Sequence, residues 1–183
     1  MTGAAGAGAG PMDRASLRGI APTERDAKGR VRHEALTDPL TGLPNRLHFD
    51  VVYRLLWEAG GRGIPVTLLR FDLRGLGSAP ADRQRAVGDR LGMTTRQMDM
   101  IARLDPDSFG VVLMDCNAFG GMIAAERFGG DLAPQLAEMK IEFYAGLAAW
   151  KDWMTKPDDL MAAADEAMGA ARSRGERVEV HQR

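Results

Sequence analysis

Two groups of charged residues carry the side chains of this chain that are best suited to chemistry. Arg96 and Asp99 stand three apart in Arg96-Gln97-Met98-Asp99, a spacing that puts both on one face of a helical turn. Arginine presents a planar fork of donors that binds phosphate through charge-assisted hydrogen bonds, and aspartate accepts from N–H groups. The same spacing also makes an ordinary surface ion pair. The second group is Asp72, after an apolar run, and Asp107, in Asp105-Pro106-Asp107-Ser108. A strand end and a turn are common places for aspartate. Metal and thiol chemistry is poorly supplied. Cys116 is the only cysteine, which excludes an internal disulfide and disfavours a thiolate metal site. His33, His48 and His181 are far apart in sequence, so no histidine metal cluster is visible.

The elements that position these residues follow from hydrophobic periodicity. Arg46 to Ala59 predicts an amphipathic helix with Leu47, Val51, Leu55 and Trp57 as its apolar positions, stopped by Gly60-Gly61. Val66 to Phe71 predicts a buried strand, and Ala81 to Thr95 a helix. Met100 to Leu104 and Phe109 to Met114 predict two strands around the Asp-Pro-Asp-Ser turn. Ala118 to about Phe128 reads as helix, Lys140 to Ala148 as extended, and Leu160 to Ser173 as an Ala-rich helix. Arg177 to His181 completes the set as a strand. Alternating strands and helices around a hairpin imply an α/β sandwich with a mixed sheet.

The bulk numbers fit one such domain and a tail. Hydrophobic residues make up 45% of 183 and charged residues 27%, an ordinary globular balance. A formal net charge of -1 gives no sign of a nucleic-acid partner. No apolar run approaches the roughly 20 residues of a membrane span, and no signal peptide is legible, so a cytoplasmic chain is expected. Residues 1–34 read as a tail and charged linker, of which 1–12 are Gly/Ala-rich and expected to be flexible. The segment from 13 has room for one short helix. Residues 35–183 read as the ordered domain.

Thr37-Asp38-Pro39-Leu40-Thr41-Gly42-Leu43-Pro44-Asn45-Arg46 resembles the opening signature of GGDEF (diguanylate cyclase) domains nearly letter for letter. Ala164-Asp165-Glu166-Ala167-Met168 with Arg174-Gly175 resembles the family's closing helix, and Ile141 to Leu147 its preceding strand. The resemblance implies a GGDEF-type palm fold, related to polymerase and adenylyl cyclase palms. Active members join two GTP molecules into cyclic di-GMP, using a carboxylate pair for metal, a glycine turn against phosphate and a guanine pocket.

This chain departs from that pattern where the chemistry is done. Arg103-Leu104-Asp105-Pro106-Asp107-Ser108-Phe109 stands at the family's "RYGG(D/E)EF". Both glycines are missing, Pro106 has no N–H for a phosphate, and Ser108 replaces the glutamate. Asp72 and Asp107 match the first metal aspartate and the acidic signature residue. Arg74 and Gly77 stand for the second aspartate and a lysine, Gly169 for a tyrosine, and Arg172 for a phosphate-binding lysine. The guanine-reading loop is cut short at Ser78 to Asp82. Phe128-Gly129-Gly130-Asp131 contains "GGD" but follows a helix, and is given no weight.

The resemblance implies a second nucleotide site. The family's inhibitory motif RxxD ends five residues before the signature, where Arg96 and Asp99 stand. Its second arginine comes from the next helix, matched by Arg127 in Ala125-Glu126-Arg127. Arginine pairs with guanine O6 and N7, and aspartate accepts from guanine N–H groups. The expectation is a chain without cyclase activity, catalytic residues, cofactor or metal, binding cyclic di-GMP through Arg96, Asp99 and Arg127. It would signal to a protein partner, with a ligand-bridged homodimer as one form. The alternatives are a ligand-independent docking module and a weak GTP-binding regulator using Asp72 and Asp107.

Overall fold

The computed structural model describes residues 24–25, 31–32 and 34–181. Glu24–Arg25 (β1) pairs antiparallel with Val31–Arg32 (β2), so the linker segment holds a small extended ladder where a short helix was allowed. The flexibility expected of residues 1 to 12 lies outside the described residues. The main strands are Val66–Arg74 (β3), Met100–Arg103 (β4), Ser108–Met114 (β5), Glu142–Ala149 (β6) and Val178–Val180 (β7). They form one sheet in the order β4-β5-β3-β6-β7, parallel only between β6 and β7. The helices are Arg46–Gly61 (α1), Ala81–Thr94 (α2), Ala118–Met139 (α3) and Pro157–Arg174 (α4). This is the expected α/β sandwich with a mixed sheet, although the β4–β5 hairpin lies at one edge and β3 takes the centre.

Strand alternation on β3 sorts its residues between two layers. Leu69, Phe71 and Leu73 enter the core beneath α2 and α3. There the Phe71 ring stacks on Phe109 at 5.2 Å and on Phe128 at 5.9 Å between centroids. Leu68 enters the second core, under α1 and α4, and Arg70 and Asp72 share that face.

The second layer corrects the apolar face assigned to α1. Leu47, Val51 and Leu55 are 58%, 56% and 68% exposed, whereas Phe49, Tyr53 and Trp57 are buried. An aromatic row at i, i+4 and i+8 removes more area from water than an aliphatic one, so it takes the core. Phe49 stacks on Tyr53 at 5.2 Å and fills space that Gly110 leaves open. Helix α3 also runs past Phe128 to Met139, with Gly129, Gly130 and Pro134 inside it. Gly129 lies where a Cβ would come within 3.2 Å of the Phe143 ring, so its lack of a side chain lets α3 lie close to β6.

The opening loop is tied to the sheet by one buried guanidinium. Asp38 accepts from the Thr41 amide at 2.8 Å and hydroxyl at 2.7 Å, closing the turn. Arg103, 5% exposed, donates to Asp38 at 3.0 Å, to Gln84 Oε1 at 2.7 Å and to the Pro106 carbonyl. Its own amide donates to the Pro44 carbonyl at 2.9 Å. The loop, α2, β4 and the Asp-Pro-Asp-Ser turn therefore meet on one side chain. Asn45 then caps α1 by accepting from the His48 amide. Among the described residues no helix is long and apolar enough to cross a membrane.

Two predictions follow from these contacts. A Cβ at Gly146 would lie 1.9 Å from the Met168 amide nitrogen and 2.5 Å from the Ala164 carbonyl, backbone atoms of α4 that cannot turn aside. Gly146→Ala should therefore destabilise by about 1–3 kcal/mol or more. At exposed Gly169 nothing lies within 4 Å, and Gly169→Ala should stabilise by about 0.5–1 kcal/mol, both read from urea midpoints.

The second concerns acid. Burial pushes the Asp38 carboxyl up, but its bonds to Thr41 and Arg103 outweigh burial and hold it below its ordinary value of 3.8. A carboxyl depressed on folding contributes stability above its unfolded pKa, lost as pH falls through the folded one. The parent should therefore lose stability below about pH 4 more steeply than Asp38→Asn, and parallel curves for the two would contradict this.

Candidate functional site

The Arg96–Asp99 segment is a turn between α2 and β4, not a helical turn. Thr95 stops α2 by leaving helical geometry while its hydroxyl donates back to the Leu91 carbonyl at 2.8 Å. The chain then reverses, with the Asp99 amide donating to the Arg96 carbonyl at 3.2 Å. A spacing of three still brings the two residues to one side. They do different work, however. Arg96 is exposed, while Asp99 is 6% exposed and accepts from the Met114 amide at 3.1 Å. Asp99 is thus a structural acceptor at the end of β5 as well as a wall of the site.

Past Met114 the chain turns into α3. Asp115 adopts a left-handed φ of 48°, and Asn117 caps α3 by accepting from the Gly120 amide at 2.9 Å. Arg127 lies farther along α3, partly buried, and its Nε and Nη2 are buried without a hydrogen-bond partner among the described residues. Arg96, Asp99 and Arg127 all line one cavity of about 200 Å³, joined there by Asp115, Cys116 and Ile123. All three predicted residues therefore come together. Burial, with Asp99, pushes the Cys116 thiol up, against the opposing pull of Arg96 and Arg127, so a neutral thiol sits between two cations and two carboxylates. Asp115 and Ile123 went unremarked in the sequence, and Cys116 was noted there only as a lone thiol. Asn117 before an apolar run is the one signal that would have marked the start of α3 beside them.

The signature-like turn lies at the other end of β4 and β5 and is internally satisfied. The Asp107 carboxylate accepts from the Gly75 amide at 3.1 Å and the Gly77 amide at 2.6 Å. Its carbonyl accepts from the Leu73 amide at 2.7 Å. Pro106 closes against Gly77, where a Cβ would come within 2.7 Å of the proline ring. Gly75 has a φ of 100°, which permits the tight exit from β3. A six-residue link from Gly75 to Pro80, holding one short 3-10 turn at Leu76–Ser78, then leads into α2.

Asp72 is bound by Arg172 of α4 in a short ion pair. Arg70, nearly buried, donates to the Ser108 hydroxyl at 3.0 Å and lies 3.4 Å from Asp165, whose carboxyl burial pushes up. Asp72 and Asp107, the two carboxylates matched to the family's metal site, are thus each engaged by groups of this chain. Among the described residues no group of three or more His, Cys, Asp or Glu side chains is arranged to hold a metal. The Gly129-Gly130-Asp131 sequence lies within α3, where Asp131 accepts from Thr94 at 2.8 Å.

Known proteins share this fold. The chain is 40% identical over 117 residues to a Streptomyces griseus protein from the hutH 5′ region, covering 62% of this chain and 41% of that protein. It spans less than half the length of the curated relatives it matches. The GGDEF domain of DgcB from Caulobacter crescentus in complex with c-di-GMP has the same fold. It superposes with a TM-score of 0.68 at 21% identity, over 83% of this chain and 99% of that one. The diguanylate cyclase SiaD from Pseudomonas aeruginosa, in complex with its activator SiaC, superposes with a TM-score of 0.67 at 18% identity. That match covers 79% of this chain and 60% of SiaD. The model of the family described as diguanylate cyclase, GGDEF domain, matches residues 35–177, and the chain belongs to that family.

Proposed function

We propose that the chain is a GGDEF domain without cyclase activity that binds cyclic di-GMP through Arg96, Asp99 and Arg127. The observation that carries this is Arg127. Two of its guanidinium nitrogens are buried with no acceptor, in the wall of a cavity that also contains Arg96. An unpaired buried donor costs about 1–3 kcal/mol, more when charged, so turning the Arg127 guanidinium towards an anionic, acceptor-rich ligand in the cavity would relieve that cost. The fold of DgcB holds this ligand in its complex, which supports the choice of nucleotide.

The old catalytic corner supports inactivity. A metal at Asp72 would share the carboxylate with the Arg172 cation, and one at Asp107 would compete with two backbone donors. Pro106 offers no amide to a phosphate and fills the space against Gly77. The short link into α2 leaves no loop to read a guanine. In this reading the domain acts in the cytoplasm and reports the ligand to a protein partner, as the complex of SiaD with SiaC illustrates for the fold. A cavity of about 200 Å³ is smaller than the roughly 300–1,000 Å³ of common ligand clefts. It seats part of a dinucleotide and leaves the remainder for a second chain in a ligand-bridged homodimer.

A docking module needing no ligand is the second reading. The exposed row Leu47, Val51 and Leu55 on α1 favours it, because it presents apolar side chains that the core does not use. A loss of partner binding in Leu55→Asp, with nucleotide absent throughout, would support that reading over the first.

Calorimetry with cyclic di-GMP, and separately with GTP and Mg²⁺, tests the proposal. Cyclic di-GMP should bind, GTP should not, and incubation with GTP and Mg²⁺ or Mn²⁺ should yield no cyclic di-GMP. Arg96→Ala should weaken binding roughly ten- to a hundredfold with an unchanged melting temperature, since Arg96 is exposed. Asp99→Ala should also lower the melting temperature, because the Met114 amide loses its acceptor. Abolition of binding by Asp72→Ala, with Arg96→Ala silent, would place the ligand in the old active site and overturn the assignment.

A further inference from the structure

The cavity holding Arg96 and Arg127 is too small for the whole ligand, and its rim has a character of its own. Ile123, 53% exposed, lines the cavity mouth on α3. Phe119, 66% exposed, stands one helical turn earlier on the same face. Phe119, Ile123 and Arg127 are spaced i, i+4 and i+8, so one row along α3 runs from aromatic to aliphatic to cationic. Its ends lie about 12 Å apart along the axis. Phe119 belongs to neither core cluster among the described residues, so packing gives no reason for a phenylalanine there. A surface phenylalanine one turn along α3 from a pocket with two arginines matches a ligand that carries both phosphate and flat rings.

We infer that Phe119, supported by Ile123, is the stacking platform for the guanine that the cavity does not enclose. The inference rests on the receptor reading, because it requires that Arg96 and Arg127 hold the rest of the same ligand. A purine face is flat and polarisable, and an aromatic ring is its preferred neighbour; such contacts survive changes of base because every base has a π-face. The two arginines fix the charged and edge-reading part of the nucleotide. The row on α3 then places the aromatic ring beyond the pocket mouth, where a second base projects. Phe119 is thus a binding residue outside the arginine–aspartate motif.

Calorimetric titration of cyclic di-GMP into the full chain tests this with four variants: Phe119→Ala, Phe119→Leu, Phe119→Tyr and Arg96→Ala. Phe119→Ala should weaken binding about fivefold to a hundredfold. Phe119→Tyr should bind as the parent does, and Phe119→Leu should stay weakened, because it keeps apolar area and loses the ring. The exposed side chain should leave the melting temperature unchanged. If Arg96→Ala weakens binding while Phe119→Ala does not, the pocket stands and the platform is wrong. Full rescue by Phe119→Leu would overturn stacking in favour of simple apolar cover. A large fall in melting temperature for Phe119→Ala would assign the ring to the fold and overturn the inference. If the parent does not bind, the platform and the receptor reading fall together.

Discussion

One buried guanidinium holds the two halves of this domain in register. Arg103 lies at the end of β4 and must find acceptors, since a charge this deep is costly unless paired and hydrogen-bonded. It finds them on three other elements: Asp38 of the opening loop, Gln84 of α2 and the Pro106 carbonyl of the hairpin turn. Thr41 in turn fixes the carboxylate that receives Arg103. The family's opening signature therefore acts here as a bracket. It presses the loop onto α2, where a Cβ at Gly88 would come within 2.1 Å of the Thr41 carbonyl. With the bracket in place, β4 and β5 are fixed at one end by the turn and at the other by Asp99 on the Met114 amide.

That hairpin separates two sites with opposite electrostatic states. At the turn end, Asp72 has Arg172, Asp107 has two backbone amides, and Arg70 has Ser108 and Asp165, with Arg70 Nε left unpaired among the described residues. A ligand there would compete with ion pairs and hydrogen bonds already made. At the far end Arg127 keeps two nitrogens without acceptors and Arg96 is exposed. Binding there completes bonds that the fold leaves open. Arg70 and Arg172 pair with carboxylates at the turn end, and proline at 106 closes the turn where the family has glycine.

The sequence revealed the fold more fully than its faces. The ten residues from Thr37 to Arg46 and the Ala164 to Met168 helix carried the family, and short apolar runs located β3 and β5. Helix α1 was placed well but turned the wrong way. Leu47, Val51 and Leu55 form a regular aliphatic row, and of the four expected apolar positions only Trp57 is buried; nothing local reveals that Phe49 and Tyr53 join it in the core. Helix α3 was read short because Gly129, Gly130 and Pro134 are breakers by propensity, whereas close contact with Phe143 makes Gly129 an asset. Of the candidate site, Arg96, Asp99 and Arg127 were legible through the family resemblance, from the RxxD offset and the Ala125-Glu126-Arg127 segment. The burial of Asp99 and the roles of Asp115, Cys116 and Ile123 were not, because they depend on how β5 ends and α3 begins.

The central claim is that the open end of the hairpin binds cyclic di-GMP and the closed end does not. Hydrogen–deuterium exchange on the full chain, with and without cyclic di-GMP, compares both ends in one experiment. Slowed exchange should appear at residues 96–99 and 115–127, with residues 72–78 and 105–108 unchanged. Protection confined to 72–78 and 105–108 would return the ligand to the old catalytic corner and contradict the account.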